Sequence, residues 1–213
     1  MTARLLMSAV VAIAATLATS AAWAAGCTGN VQFTDDFSQS NDPTWPVPRD
    51  DIAIGGGKFQ GKAPVTKLYQ ALTQAFPLGD ADVCVDISVS PVSDPSTFSG
   101  GLQFWMPDDN NQFMLLFNAA GQAALLHLQN GKLLVPVSWR KAPSLKTGAG
   151  VVNSVRLTLK SNKISIYFND QPWYTNLPGV EPKDGGLWGF LYGSEKTPNI
   201  WTFSNLKVTD PSP

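Results

Sequence analysis

The sequence predicts an all-β protein built as a sandwich of two antiparallel sheets. Apolar and polar residues alternate with a period of two in many short runs, and turn-forming dipeptides separate several of these runs. The 18 Gly and 16 Pro residues are spread along the chain instead of gathering in a linker. Because no segment gives a clear helical pattern, about a dozen short strands packed in two layers is the expected architecture.

The N-terminal segment, residues 1–24, has the features of a secretory signal peptide. Arg4 precedes an apolar run over residues 5–17, and Ala22-Trp23-Ala24 forms a small-residue cleavage pattern. The run is shorter than the ~20 residues that cross a bilayer as a helix, and no later run is longer, so we expect no transmembrane segment. The protein is therefore predicted to be periplasmic or secreted.

Two cysteines, Cys27 and Cys84, follow the signal peptide. An even count in an exported chain favours a disulfide between them, which would fix the N-terminus to an inner strand. An alternative is a lipoprotein, since Ala24-Ala25-Gly26-Cys27 resembles a bacterial lipobox in which Cys27 carries the lipid. The usual Leu three residues before that Cys is missing.

Residues 25–213 are predicted to form one domain, because their length suits a single large sandwich. The chain is 44% hydrophobic and 15% charged, which favours a large core over disorder. Arg4 is the only charged residue of the first 24, so 14 Lys and Arg remain against 16 Asp and Glu. Without a basic cluster nucleic acid is excluded as a partner, and we expect a monomer.

The strands are justified by alternation along the chain. Asp82–Val89 is the clearest, with its three Val and one Ile on one side and Cys84, Asp86 and Ser88 on the other. Leu68–Phe76 fits both helical and strand spacing, and we favour a strand. The same period predicts further strands at Gly101–Met106, Gln112–Asn118, Ala123–Gln129, Lys132–Val137, Ser154–Lys160, Lys163–Phe168, Leu187–Tyr192 and Trp201–Thr209.

Turn residues separate these strands. Asn130-Gly131 lies between two apolar runs and predicts a type I′ hairpin. Gly121 and Ser161-Asn162 predict two more tight turns. Hairpins of this kind place neighbouring strands antiparallel.

Several segments in this order resemble exported bacterial members of the concanavalin A-like lectin/glucanase superfamily, in particular laminin-G-like and 3-keto-disaccharide-hydrolase-like domains. The resemblance covers nearly all of residues 31–209 and implies a jelly-roll sandwich. Since this superfamily holds lectins, glycosidases and adhesion modules on one scaffold, the function has to be argued from the site. The matching segments are Thr34–Phe37 with Trp45-Pro46, Gly79–Asp86, Gly100–Trp105, Asn130–Lys132, Pro136–Trp139, Asn153–Leu157, Ile166–Asn169, Gly185–Gly189 and Trp201–Leu206.

Catalytic residues are hard to find. A retaining glycosidase needs two carboxyl groups about 5 to 5.5 Å apart, and the glucanases of the superfamily place them in a Glu-x-Asp-x-x-Glu strand that this chain lacks. Its two Glu residues, Glu181 and Glu195, fall in loops, and Asp82 and Asp86 on one strand face are roughly 13 Å apart. The single His127 has no partner in the sequence and is interpreted as structural.

Candidate binding residues are easier to find, because sugars stack their C–H faces on indole rings and hydrogen-bond planar polar groups. Gln103 and Trp105 share one strand face if Leu102, Phe104 and Met106 fill the core. Trp139-Arg140 follows another strand, and Tyr192 ends a third. The predicted ligand-binding set is therefore Gln103, Trp105, Trp139, Arg140 and Tyr192, with the alternative that the tryptophans are core residues.

A turn directly after this strand offers clustered oxygens. Asp108, Asp109 and Asn110 could bind Ca²⁺, a cofactor that several lectin relatives carry, or could form an ordinary solvated hairpin turn. No other cofactor is indicated.

The favoured hypothesis is an exported, non-catalytic protein that binds a carbohydrate or glycosylated surface through one sheet face. One alternative is a periplasmic 3-keto-disaccharide hydrolase-like enzyme, although matching motif residues cannot be placed in this chain. The other is a structural envelope domain without a ligand.

Overall fold

The computed structural model describes residues 26–40, 43–45, 49–91 and 94–211. The predicted signal peptide, residues 1–24, lies outside the described residues. In the part of the chain that is described, no helix is long and apolar enough to span a bilayer.

The described residues form fourteen β-strands. In chain order these are β1 Val31–Asp35, β2 Ile52–Gly55, β3 Lys58–Ala63, β4 Lys67–Leu72, β5 Ala81–Ser90, β6 Phe98–Asp108, β7 Asn111–Phe117, β8 Gln122–Gln129, β9 Lys132–Lys141, β10 Asn153–Lys160, β11 Lys163–Phe168, β12 Gln171–Pro178, β13 Leu187–Ser194 and β14 Asn199–Thr209.

The strands make two antiparallel sheets, which confirms the predicted fold class. The eight-stranded sheet has the order β12-β11-β10-β5-β14-β3-β2, with β1 added beside β14. The six-stranded sheet has the order β4-β13-β6-β7-β8-β9. Strands that are distant in sequence, such as β5 and β14, are neighbours in the sheet, so the chain crosses repeatedly between the two layers.

The core lies between the sheets and is built by alternation. Val83, Val85 and Ile87 of β5 are buried there, as the period of two predicts. Across the gap, Phe190 of the six-stranded sheet stacks on Phe203 of the eight-stranded sheet with ring centroids 4.1 Å apart. Stacked and edge-to-face aromatic pairs of this kind add to the burial of apolar area.

The predicted hairpin turns are confirmed by their backbone geometry. Asn130 and Gly131 have φ of 51° and 74°, and Ser161 and Asn162 have φ of 51° and 60°. Two consecutive residues with positive φ are what a type I′ turn requires, since its twist matches that of the flanking strands.

Four strands were not predicted, namely β1, β2, β3 and β12. In β1, β2 and β12 most side chains are exposed or half-buried, so their apolar alternation is weak. In β3 burial does alternate, but one of its buried positions is Gly61, which gives no apolar signal. The segment 68–76 is a strand as favoured, but the strand ends at Leu72.

The predicted disulfide is confirmed. Cys27 is bonded to Cys84, which lies on the outer side of the central strand β5. Because the Cys27 sulfur is used in this bond, the lipoprotein alternative is wrong for this structure. Lys207 also holds the N-terminal segment, since its Nζ donates to the Cys27 carbonyl at 2.9 Å.

Candidate functional site

Trp105 is a core residue, so its prediction as an exposed platform is wrong. Its backbone has φ of 49° inside an irregularity of the β6–β7 pairing. This bulge breaks the alternation, so that Phe104 and Trp105 both point into the core. The Trp105 side chain is 1% exposed and meets Ile164 and Gly179 of the opposite layer, and its indole Nε1 donates to the Gly79 carbonyl at 3.3 Å.

Tyr192 also points into the core, and it too is wrong as a surface-exposed ligand-binding residue. The ring lies over Gly61 of the opposite sheet. Its hydroxyl donates to Asp51 at 2.7 Å, and Arg49 binds the same carboxylate. Burial and the Asp51 carboxylate raise the pKa of Tyr192 far above its usual value. This group ties the two sheets together at one rim.

Arg140 serves a similar linking role at the opposite rim. Its guanidinium donates to the Tyr174 hydroxyl of β12 at 2.9 Å and to Ser138 Oγ at 3.2 Å. Arg140 and Ser138 therefore face the edge of the eight-stranded sheet. The residue between them, Trp139, consequently faces away from it.

Gln103 and Trp139 do lie on one surface, the outer face of the six-stranded sheet. Gln103 pairs with Met114, which pairs with Leu126 on the next strand. Trp139 lies on the edge strand β9 and is 43% exposed. Three strand spacings of about 4.8 Å separate the two residues across the sheet, and Trp139 lies about three residues further along β9, so the two residues are roughly 17 Å apart.

This outer face has a buried floor and exposed edges. Along one row of paired residues, Leu191, Gly101, Leu116 and Ala124 are all buried although they point away from the core. Gln103 and Met114 lie in the adjacent row. We call this surface the outer trough, with its floor formed by Gly101, Gln103, Met106, Met114, Leu116, Ala124, Leu126 and Leu191.

The rims of the outer trough are apolar and exposed. Leu68 lies on the edge strand β4 opposite Gly193, and Leu187 lies at the other end of β13. The opposite edge strand β9 carries Leu133, Val135 and Trp139, and the exposed Lys141 follows on the same side of the strand, where it pairs with Gln122. The side chains of these five rim residues are 42% to 54% exposed.

Glu195 lines a cavity of about 320 Å³ together with Lys67 and the rim residue Leu68, whereas other carboxylates lie away from this surface. Asp82 and Asp86 are on the outer side of the eight-stranded sheet, where Asp82 binds Arg156 at 2.8 Å and Asp86 accepts from Asn205 at 2.8 Å. In a loop, burial and the neighbouring Asp80 carboxylate raise the pKa of Glu181. The floor and rims of the outer trough contain neither Asp nor Glu.

His127 packs as a core-edge residue, in agreement with the interpretation as structural. Its ring stacks on Phe113 with centroids 3.9 Å apart, and burial lowers the pKa of the imidazole. Beside it is a small cavity of about 120 Å³ that reaches Trp105 and Pro182. This volume is below the ~300 to 1,000 Å³ of typical ligand pockets.

The turn at Asp108, Asp109 and Asn110 closes the β6–β7 hairpin. Asp108 accepts hydrogen bonds from the Asn110 backbone at 2.7 Å and from the Asn111 amide at 3.0 Å. Among the described residues, no group of three or more His, Cys, Asp or Glu could hold a metal ion. Calcium binding at this turn stays a prediction, which calorimetric titration with CaCl₂ would test.

A cavity that the sequence did not indicate lies at the ends of β3, β5 and β14. It measures about 470 Å³, and Pro64, Pro91 and Pro198 form much of its wall. Asp51 lines it as well, although its carboxylate is held by Arg49 and Tyr192. Scattered Pro residues give no signal of such a cavity, because only the sheet order brings them together.

Comparison with known proteins identifies the architecture. No family model matches the chain, and no curated protein matches it. Solved structures with this fold include a carbohydrate-binding module, CBM66 from Bacillus subtilis, at a TM-score of 0.62 and 17% identity over 80% of this chain and 98% of that one.

Two enzymes of known structure are also similar. The catalytic domain of an endo-1,3-β-glucanase (laminarinase) from Thermotoga petrophila has a TM-score of 0.63 at 7% identity over 87% of this chain and 99% of that one. A β-glucanase from Bacillus licheniformis has a TM-score of 0.58 at 12% identity, covering 85% and 99%. The chain thus shares the two-sheet jelly-roll fold of these structures, which is the fold that the resemblance implied.

Proposed function

We propose that this protein is a non-catalytic carbohydrate-binding sandwich and that the glycan lies in the outer trough. The observation that carries the proposal is the coincidence, on one sheet face, of an exposed indole, a buried amide and no carboxylate. The similarity to a carbohydrate-binding module and to glucanases shows the fold alone, but it agrees with a glycan as ligand.

Trp139 supplies the stacking surface. Its neighbours Ser138 and Arg140 turn towards β12, which leaves the indole facing outward at the rim. The apolar face of a sugar ring would cover the indole and remove both surfaces from water. This is the largest exposed aromatic side chain of the outer trough.

Gln103 supplies hydrogen bonding on the floor. Its Nε2 donates to Met106 Sδ, whereas its buried Oε1 has no hydrogen-bond partner among the described residues. Buried carbonyl oxygens are rarely left in this state. Because the Gln103 side chain is 1% exposed, we expect it to turn outward on binding, so that a sugar hydroxyl donates to Oε1. The separation of roughly 17 Å from Trp139 favours an oligosaccharide over a single sugar.

Binding without turnover follows from the absence of acid and base on this face. Glycoside hydrolysis with retention or inversion uses two carboxyl groups flanking the bond. The floor and rim residues of the outer trough offer none, and Glu195 beside Leu68 is a single carboxyl group, so a glycan held there is not flanked by the two carboxyl groups that hydrolysis uses. The enzyme alternative has no specific observation in its favour.

The proposed place of action is outside the cytosol. The Cys27–Cys84 disulfide is typical of periplasmic and extracellular proteins. Together with the predicted signal peptide, this supports a periplasmic or secreted protein that meets wall or surface glycans, working as a monomer.

The experiment is a binding screen on a glycan array followed by calorimetry with the best oligosaccharide. We expect Trp139→Ala to weaken binding by about 30-fold, the effect of losing a contact of ~2 kcal/mol. Tyr167→Ala is the matched control, since Tyr167 is an aromatic residue of the eight-stranded sheet beside Arg156. Release of reducing sugar, or equal loss of affinity in both variants, would contradict the proposal.

A further inference from the structure

The acidic and basic residues of this protein are unevenly distributed along the chain. Residues 110–169 contain seven Lys and Arg residues and neither Asp nor Glu, whereas the rest of the chain after residue 24 has seven Lys and Arg against 16 Asp and Glu. Because the seven cations are spread over this long segment, no short run of the sequence is basic. Strand pairing therefore decides whether they share one surface.

The fold gathers this segment on one side of the sandwich. The strands β7, β8 and β9 form one half of the six-stranded sheet, and β10 and β11 lie next to the edge strand β12 of the other sheet. The two edges meet where Arg140 donates to Tyr174 and the Trp173 indole donates to the Lys141 carbonyl at 3.4 Å. We call residues 111–178 the basic side; Asp170 is its one carboxylate.

Three cations beside Trp139 have no anionic partner. Lys141 lies two residues further along β9 on the same side, about 6.6 Å from Trp139. The Lys141 Nζ donates to the Ala120 carbonyl at 2.9 Å, and Arg140 donates to two neutral hydroxyls. Lys146 lies in the loop that follows β9. Within the described residues, no ion pair involves any of these three cations.

Backbone contacts hold Lys141 and Lys146 around one turn, residues 119–122. The Gly148 amide donates to the Ala119 carbonyl at 3.2 Å, which packs the Lys146 loop on this turn. The Lys141 Nζ binds Ala120 of the same turn, so it keeps two N–H donors free for a ligand. A cation that is already positioned loses less conformational entropy when an anion binds it.

Carboxylates near this rim do not cancel the charge. Asp94 approaches the same turn, because the Ala120 amide donates to the Pro95 carbonyl at 3.2 Å, but its carboxylate is paired with Lys196 at 3.1 Å. Asp170 is exposed in the turn between β11 and β12. Three cations against this one carboxylate leave the Trp139 rim with an excess of positive charge.

The opposite rim of the outer trough differs in charge. There Lys67 and Glu195 line one cavity beside Leu68, so both signs are present. A negatively charged ligand in the outer trough is consequently attracted to the rim that also offers the stacking surface of Trp139. Such an attraction acts before contact and is screened by salt.

The spacing of the cations restricts the kind of polyanion. Lys132 and Lys141 are the first and last residues of β9, roughly 30 Å apart. Duplex DNA carries one charge per ~1.7 Å, so most of its phosphates would find no cation here. A chain of sugars with one acidic group on a ring places its charges further apart and also has C–H faces for an indole.

We infer that the glycan of the outer trough is acidic, with carboxylate or sulfate groups that bind Lys141 and Lys146 while a sugar ring stacks on Trp139. This inference rests on the proposed carbohydrate-binding function and names the class of glycan that the same site takes. Carboxylate and sulfate share the chemistry that the two ammonium groups recognise, and the probes of the test distinguish them.

The test compares two pairs of probes that differ in charge but not in their sugar rings. Trigalacturonate is compared with its methyl ester, and dextran sulfate with dextran. In at least one pair we expect the charged member to bind at least about fivefold more tightly near 50 mM NaCl, and we expect about 500 mM NaCl to remove the difference. The salt titration uses the wild-type protein and needs no variant.

Two double variants locate the effect. Lys141→Met with Lys146→Met should weaken the preferred charged probe about fivefold and leave its uncharged counterpart unchanged. Lys58→Met with Lys62→Met removes the same charge from β3 of the other sheet and is the matched control. All four lysines are exposed, so both double variants are expected to keep their native thermal unfolding.

The outcomes separate this inference from the proposed function. Equal affinity within both pairs, or equal losses in the two double variants, overturns the acidic glycan, whereas an array hit that Trp139→Ala weakens would leave glycan binding standing. Absence of binding to every glycan overturns both. A thymidine oligonucleotide that binds more tightly than either charged glycan would identify nucleic acid as the partner and also overturn both.

Discussion

The two sheets of this sandwich share one core but present opposite chemistry to the outside. The eight-stranded sheet carries an ion pair between Asp82 and Arg156, and the guanidinium of Arg156 lies 4.9 Å from the Tyr167 ring centroid. The outer trough of the six-stranded sheet is mainly apolar, and Lys141 on its β9 edge donates from Nζ to the Ala120 carbonyl. Alternation along each strand separates the core face from the outer face, but it does not make the two outer faces alike.

This difference indicates that the outer face of the eight-stranded sheet contributes to stability and that of the six-stranded sheet to binding. On the eight-stranded sheet the outward polar groups bind one another, as Asp86 and Asn205 do, so they belong to the fold. On the six-stranded sheet the rim residues, Val135 among them, leave apolar surface in water, which contributes nothing to the isolated protein. An apolar surface that stabilises the protein only when a partner covers it is typical of a binding site.

The sharpest test of the division between core and surface compares two tryptophans. Trp105→Ala empties a core position, so we expect a loss of about 3 to 5 kcal/mol in the free energy of unfolding. Trp139→Ala removes an exposed ring and should change it by within about 0.5 kcal/mol. Urea denaturation followed by circular dichroism measures both, and similar losses would mean that Trp105 is not a core residue.

The ion pair of the eight-stranded sheet provides the next test. Arg156→Met keeps most of the side-chain stem but removes the guanidinium that binds the fully buried Asp82 carboxylate, so we expect a loss of about 3 kcal/mol. Arg140→Met removes an exposed Arg at the edge of the other sheet and should cost less than about 1 kcal/mol. A loss for Arg156→Met as small as that for Arg140→Met would break the contrast between the faces.

The polar link between the sheets predicts a dependence on pH. Although burial alone would raise the pKa of Asp51, hydrogen bonds from Arg49 and Tyr192 lower it below its usual value. The stabilisation is therefore present above the unfolded pKa of about 3.9 and is lost as pH falls through the lower folded pKa. We expect Asp51→Asn to cost about 1 kcal/mol at pH 7 and to match the wild type near pH 2. A difference between the two proteins that does not vary with pH would contradict this.

The smallest change in stability is expected for a pair of substitutions that makes one rim of the outer trough less hydrophobic. Leu133→Ser with Val135→Ser removes apolar area from one rim of the outer trough, with a change of about 1 kcal/mol or less in the free energy of unfolding. Retention on a phenyl column at high salt should fall. Val31→Ser with Val152→Ser is the matched control, since both valines are exposed away from the outer trough. Equal reductions in retention would show that the outer trough is not a continuous apolar surface.

Much of the fold could be predicted because alternation and turn chemistry are local. The strand β11 has its predicted bounds, Lys163–Phe168, and the pair Asn130-Gly131 forms its predicted turn. Prediction failed at Trp105, where a single bulge reverses the side chain and invalidates any count of alternate positions after it. It also failed for Tyr192. The alternation along β13 was predicted correctly, but the face of the strand that carries Tyr192 points into the core and not outward.

Of the candidate site, Gln103 and Trp139 keep the outward positions that the sequence indicated, whereas the floor of the outer trough was not recognised. Its Leu and Met residues, such as Leu116 and Leu126, look like core residues in a sequence because their chemistry is that of a core. Only the sheet order, with four other strands beside β7 and β8, shows that they lie on the face turned away from the core.

The sequence by itself determined the all-β class, the hairpins and the Cys27–Cys84 bond, since each depends on residue types and short spacings. The tertiary structure decided which apolar face of a strand is covered and which is left open. The physical reason is that the hydrophobic effect is non-directional, so residue type alone does not say which face of a strand is covered. That depends on which sheet lies opposite, and the order of strands from distant parts of the chain sets it.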